Sequence, residues 1–96
     1  MLVYTREFIM ICEHLEKTDA KEKKGYFIVE KPVVEKLMNQ NAYDTAANKL
    51  KIWKALHWID TDENRVTRRV RIEGSYRAVV KIDLLVYRVL KELVKV

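Results

Sequence analysis

Apolar residues recur at helical intervals at both ends of this chain and at alternate positions in its second half. Phe8, Ile11, Cys12 and Leu15 fall three and four residues apart behind Thr5, which reads as an N-cap, so a first helix is expected over residues 5–16. Residues 18–24 are polar and charged and read as a loop. Gly25 then opens a short strand in which Tyr26, Phe27, Ile28 and Val29 are β-prone and show no helical period. Pro32 suits the first turn of a second helix over residues 33–39, which buries Val33 or Val34 with Leu37 and Met38. Asn39, Gln40 and Asn41 break it as a polar turn. A third helix is expected over residues 42–57, with Ala46, Ala47, Leu50, Trp53 and Leu56 or His57 inward and Thr45, Asn48, Lys49 and Lys51 on other faces.

Beyond Trp58 the period changes from helical to alternating. Val66, Val70 and Ile72 share one face of a strand, with Thr67, Arg69 and Arg71 on the other. After a connector of Glu73, Gly74 and Ser75, a second strand alternates Tyr76, Ala78, Val80 and Ile82 with Arg77, Val79 and Lys81. Strict alternation puts Arg68 on the apolar face, so its stem snorkels at an edge or a bulge shifts the register. Residues 84–96 form a last helix, apolar over more of its circumference than a surface helix needs. The 96 residues make one domain spanning residues 1–96.

Charge sharpens this picture. Six basic residues lie between Arg65 and Lys81 against one acid, Glu73; that stretch carries +5, the formal charge of the whole chain. Like charges crowded on one ribbon repel each other, and a polyanion is the partner that relieves them. Arg65, Arg68, Arg69, Arg71, Arg77 and Lys81 are therefore candidate phosphate contacts. At the start of the third helix, Asn48 can pair with adenine, Lys49 can reach guanine, Thr45 can touch a thymine methyl, and Tyr43 lies beside them. In the same segment Asn41 can serve simply as a cap and Asp44 as an acid in the first turn.

The run Asp44-Thr-Ala-x-x-Lys-Leu-x-x-Trp-x-x-Leu-x-Trp-Ile-Asp60, followed by a basic hairpin, resembles the winged helix-turn-helix superfamily over residues 5–82. The resemblance implies an α+β fold: three helices, a short strand and a β-hairpin wing, here with an additional C-terminal helix. It also implies duplex DNA as the partner, with the third helix in the major groove and the wing on the backbone. By analogy, the role is that of a transcriptional regulator, or of a plasmid or phage origin-binding accessory protein in replication or conjugative transfer. The competing reading is a winged fold that docks proteins instead of DNA. A homodimer is expected through residues 84–96, with Val86, Leu90 and Leu93 as the seam.

Other chemistries find little support. Asp60 to Asn64 opens like a calcium loop, but Arg65 stands where that loop needs Gly and Arg71 where it needs Glu. No metal site, cofactor fingerprint, nucleophile motif or paired-carboxylate signature is present, so an enzyme is not expected. His14 and His57 have no ligand partners at suitable spacing. One cysteine and no apolar run of membrane-spanning length predict a cytoplasmic protein away from membranes.

Overall fold

The first helix, α1 (Leu2–Lys17), starts a turn before the expected position and takes Thr5 into its interior. Tertiary contacts draw it back: the added turn carries Tyr4, which packs on the core and bonds Asp44. Phe8, Ile11, Cys12 and Leu15 are buried as the pattern indicated. The helix closes with Asp19 in the left-handed region (φ 58°) and the Ala20 amide bonded to the Leu15 carbonyl at 2.9 Å. The structure, a computed structural model, describes residues 2–94.

The segment expected as a loop contains β1 (Glu22–Lys23), paired with β2 (Tyr26–Glu30) through a two-residue turn. Lys24 and Gly25 both have positive φ there (51° and 86°), as a type I′ turn requires. Helix α2 (Lys31–Met38) starts two residues before the expected position, with Pro32 in its first turn. Helix α3 (Ala46–Ala55) is shorter at both ends than the pattern indicated. Thr45 is extended (φ −76°, ψ 150°) and its hydroxyl accepts from the Asn48 amide at 3.1 Å, which starts the helix at Ala46. At the other end His57 turns left-handed (φ 58°), and the Trp58 amide reaches back to the Trp53 carbonyl.

Strands β3 (Ile59–Asp60), β4 (Arg68–Ile72) and β5 (Ser75–Asp83) follow, and β5 runs directly into α4 (Leu84–Val94). Asp83 caps α4 by accepting from the Leu85 and Val86 amides. Lys95 and Val96, expected in the last helix, lie outside the described residues. The sheet is antiparallel in the order β1-β2-β5-β3, with β4 also on β5. Residues 79–83 of β5 pair with β2, and residues 75–78 pair with β4 alone, so the β4–β5 hairpin projects from the sheet. Ile72 pairs with Ser75, leaving a two-residue turn of Glu73 and Gly74, both at positive φ, in place of the three-residue connector.

The fold is thus mixed α+β, with four helices and a curled antiparallel sheet among the described residues. Its core joins Phe27, Val29, Ile59, Val80 and Ile82 to Phe8, Leu50, Trp53 and Tyr87 of the helices. Phe8 sits between the two indoles, 4.8 Å from each ring centroid. The register fixes how the two hairpin strands share their faces. Val70 lies opposite Arg77 and Ile72 opposite Ser75, on the outer face with Ile28; Arg69 and Arg71 share the helix-side face with Ala78 and Tyr76.

Candidate nucleic-acid interface

Lys49 is not available to a nucleic acid. It is 0% exposed, and its ammonium donates to Glu7 Oε2 (2.9 Å), the Met38 carbonyl (2.7 Å) and the Asn41 carbonyl (2.6 Å). All three of its protons are used, and the Tyr43 ring lies 4.1 Å away. The expectation that Lys49 contacts a base is corrected by this burial: the residue clasps α1 and the start of α3. Ala47, placed inward by the pattern, is exposed, and Lys49 fills the buried position beside Leu50. Helical period alone cannot identify a lysine whose charge is fully satisfied inside.

Tyr43 belongs to the same clasp. Its hydroxyl donates to Glu7 Oε1 at 2.5 Å, and its ring meets that of Tyr4 edge-on at 5.3 Å. Burial and the Glu7 carboxylate push the phenol pKa up, so this hydroxyl stays protonated. Asp44 accepts from Tyr4 Oη (2.8 Å), the Thr45 amide (2.8 Å) and Asn48 Nδ2 (2.5 Å). The Asn48 and Tyr4 hydrogen bonds hold its carboxyl below the usual range. Thr45 and Asn48 remain exposed at the helix start, Thr45 as cap and Asn48 with its amide anchored.

The hairpin cations divide by face. Arg68 lies on the outer face, where it forks onto Asp60 (2.6 and 3.2 Å) and reaches Asp62 (3.1 Å). Lys81 also bonds Asp60, at 3.2 Å, and sits 4.3 Å over the Tyr26 ring. Neither bulge nor free snorkelling accounts for Arg68: the acids of the Asp60–Asn64 turn pair with it, and Arg68 in turn pulls Asp60 below its ordinary pKa. Arg77 makes an exposed ion pair with Glu30 at 3.2 Å. Among the described residues, no carboxylate lies within ion-pair distance of Arg65, Arg69 or Arg71. Arg69 stacks on exposed Tyr76, 4.8 Å from its centroid.

Three lysines that the pattern did not single out as contacts complete this surface. Lys31 at the start of α2 and Lys51 and Lys54 on α3 line a cleft of about 440 Å³ with Asn64, Arg65 and Val66. A second hollow of about 370 Å³, with Asp62 as the one acid in its wall, runs on from Arg65 and Thr67 to Arg69, Tyr76 and Arg77. The two adjoin at Arg65 and Thr67, giving one concave track from α3 along the hairpin. Lys51 was legible as an outward residue; Lys31 joins only through the packing of α2 against α3. Lys54 donates to the Arg65 carbonyl at 2.7 Å and so ties helix to loop.

The seam expected on α4 divides as well. Val86 and Leu90 are partly buried against the protein's own core, whereas Leu93 is 69% exposed. Leu85 and Val89 share its outward stripe, at four-residue steps. Among the described residues no helix is long and apolar enough to cross a membrane, and no group of three His, Cys, Asp or Glu is placed to hold a metal. No model of a known protein family matches the chain, and no curated protein resembles it significantly.

Proposed function

We propose that this chain is a winged helix-turn-helix protein that binds duplex DNA without catalysis, as a transcriptional regulator or a plasmid or phage origin-binding accessory protein. The observation that carries this reading is the concave cationic track with Arg71 beside it. Among the described residues, its Lys31, Lys51, Lys54, Arg65 and Arg69, like Arg71, have no carboxylate within ion-pair distance. A phosphodiester backbone supplies that missing charge, at one negative charge per ~1.7 Å of duplex. Helix α3 presents Thr45, Asn48 and Lys51 outward for base edges, and the hairpin turns Arg69, Arg71 and Tyr76 to one face for the backbone. Arg68 and Lys81 play a supporting part, since their charges are already met by Asp60 and Asp62. Assembly as a homodimer would draw on the exposed stripe of Leu85, Val89 and Leu93.

The test is salt dependence on random duplex DNA, read by fluorescence anisotropy. Each phosphate contact contributes about 0.9 to the slope of log K against log salt. Arg69→Ala with Arg71→Ala should flatten that slope by about 1.8 and weaken all duplexes alike. An unchanged slope would remove the hairpin from the interface.

A further inference from the structure

The outer face of the sheet, opposite the helices, carries a second concavity that does not depend on the DNA reading. Ile28 of β2 and Val70 and Ile72 of β4 are half-buried there and form the floor of a cavity of about 210 Å³. Its rim is Lys21, Lys23, Lys24 and Lys81. The uncovered face of an antiparallel sheet ordinarily turns polar residues to water. Three β-branched residues in a hollow, with a buried Val79 on the same face, depart from that pattern.

The charge at this rim is unbalanced. Among the described residues, Lys21, Lys23 and Lys24 have no carboxylate within ion-pair distance. Three acids near this rim are committed or turned away, and Glu73, beside Ile72 in the hairpin turn, lies outside the lining. Asp60 is held by Arg68 and Lys81, Asp83 caps α4, and Glu22 pairs with Phe27 on the opposite face. Lys81 is fixed by Asp60 and Tyr26 as a wall.

From this combination of apolar floor and cationic rim we infer a binding site for a small amphipathic organic anion: an aryl or short-chain alkyl carboxylate. The apolar body covers Ile28, Val70 and Ile72, and the carboxylate meets the ammonium groups of Lys21 and Lys23. A volume below the ~300–1,000 Å³ of drug-sized sites limits the ligand to a fused ring or a short chain. The floor is shared between β2 and β4, which pair with β5 and not with each other. An occupant therefore bridges the projecting hairpin to the body of the sheet and restrains it.

The probe is 2-naphthoate, titrated into the whole chain and followed by amide chemical shifts, with neutral 2-naphthamide as control. Saturable shifts at Ile28, Val70 and Ile72, binding about tenfold tighter than the amide, and slower hydrogen exchange at Arg71 and Ile72 are expected. Lys21→Glu with Lys23→Glu, both on exposed positions, should weaken naphthoate about tenfold and leave the melting temperature unchanged. Equal affinity for acid and amide overturns the site. So do shifts confined to the Arg69–Tyr76 face, or no saturation by millimolar probe. Binding by polyglutamate but not by naphthoate would assign this face to an acidic chain and overturn the small-ligand inference.

Discussion

Lys49→Ala is expected to act on stability and not on the DNA contact proposed above. The substitution leaves Glu7, 3% exposed, without its cation, and strips the Met38 and Asn41 carbonyls of a donor. Removing one member of a buried pair costs about 3–5 kcal/mol, because the partner charge is left uncompensated. In a domain whose whole stability is about 5–15 kcal/mol, that is a large share. At about 4–8 °C per kcal/mol for a chain of this size, the melting temperature should fall by roughly 12–40 °C. Urea unfolding read from Trp53 and Trp58 fluorescence gives the free energy directly. The double variant Glu7→Gln, Lys49→Met keeps an acceptor for Tyr43 and introduces no lone charge, so it should recover most of the loss. A loss under about 1 kcal/mol for Lys49→Ala would mean that the ammonium is solvated and the clasp is wrong. Loss of DNA affinity beyond the unfolded fraction, on one preferred sequence only, would restore Lys49 as a base contact.

Three further outcomes follow from the same geometry. The Asp60 carboxyl is held below its ordinary value by hydrogen bonds from Arg68 and then Lys81, so its contribution to stability is full above the unfolded value of ~3.9 and fades as pH falls through the lower folded value; Asp60→Asn should be less stable at neutral pH and should flatten the acid limb, and parallel stability curves for the two proteins below about pH 5 would exclude the role. Burial pushes the Cys12 thiol pKa up and shields the sulfur, so thiol-reactive dye should label native protein roughly a thousandfold more slowly than the urea-unfolded chain, and comparable rates would place Cys12 at the surface. His57 occupies a left-handed helix end that Gly adopts without strain, so His57→Gly should raise the urea midpoint by an amount worth about 0.5–1 kcal/mol, and a lowered midpoint would show that the imidazole makes a needed contact.

What the sequence revealed and concealed divides along physical lines. Hydrophobic period located the helices and the hairpin, because burial repeats at the helical or strand interval whatever the distant partner. Helix ends were less legible. Thr5 has the chemistry of a cap but is overruled by Tyr4, whose bond to Asp44 is forty residues away and extends α1 backwards. The β1–β2 turn was hidden because Lys24-Gly25 is a weaker hairpin signal than Asn-Gly, and the charged residues before it read as solvated. The charge excess of the hairpin was plain, but its division between faces was not. Pairing of Arg68 with Asp60 and Asp62 depends on the Asp62 amide bonding the Thr67 carbonyl at 2.8 Å, which folds the turn back on the strand. The surplus stripe on α4 was visible, but only packing tells Leu85 and Val89, which face out, from Val86 and Leu90, which face the core.

The buried clasp also determines what α3 presents to a partner. Because Lys49 points inward, the outward stripe becomes Ala47, Asn48, Lys51 and Ala55, with Lys54 on its flank. Two alanines on that stripe keep the helix slim, which on the proposed reading would let its backbone approach a groove floor. Asn48 is bonded to Asp44, which is in turn bonded by Tyr4, so the amide is oriented before any ligand arrives. That bond uses one of two N–H groups and leaves the other, with the amide oxygen, for the two-point contact that adenine requires. The negative charge of Asp44 is met by three donors, which would lessen its repulsion of a phosphate brought to this helix. Lys51 follows Asn48 by three residues on the same stripe and lines the cleft with Arg65, where helix and hairpin can share one stretch of backbone. On the proposed reading, the lysine that looked most like a base reader would act only indirectly, by fixing the helix that presents Asn48 and Lys51.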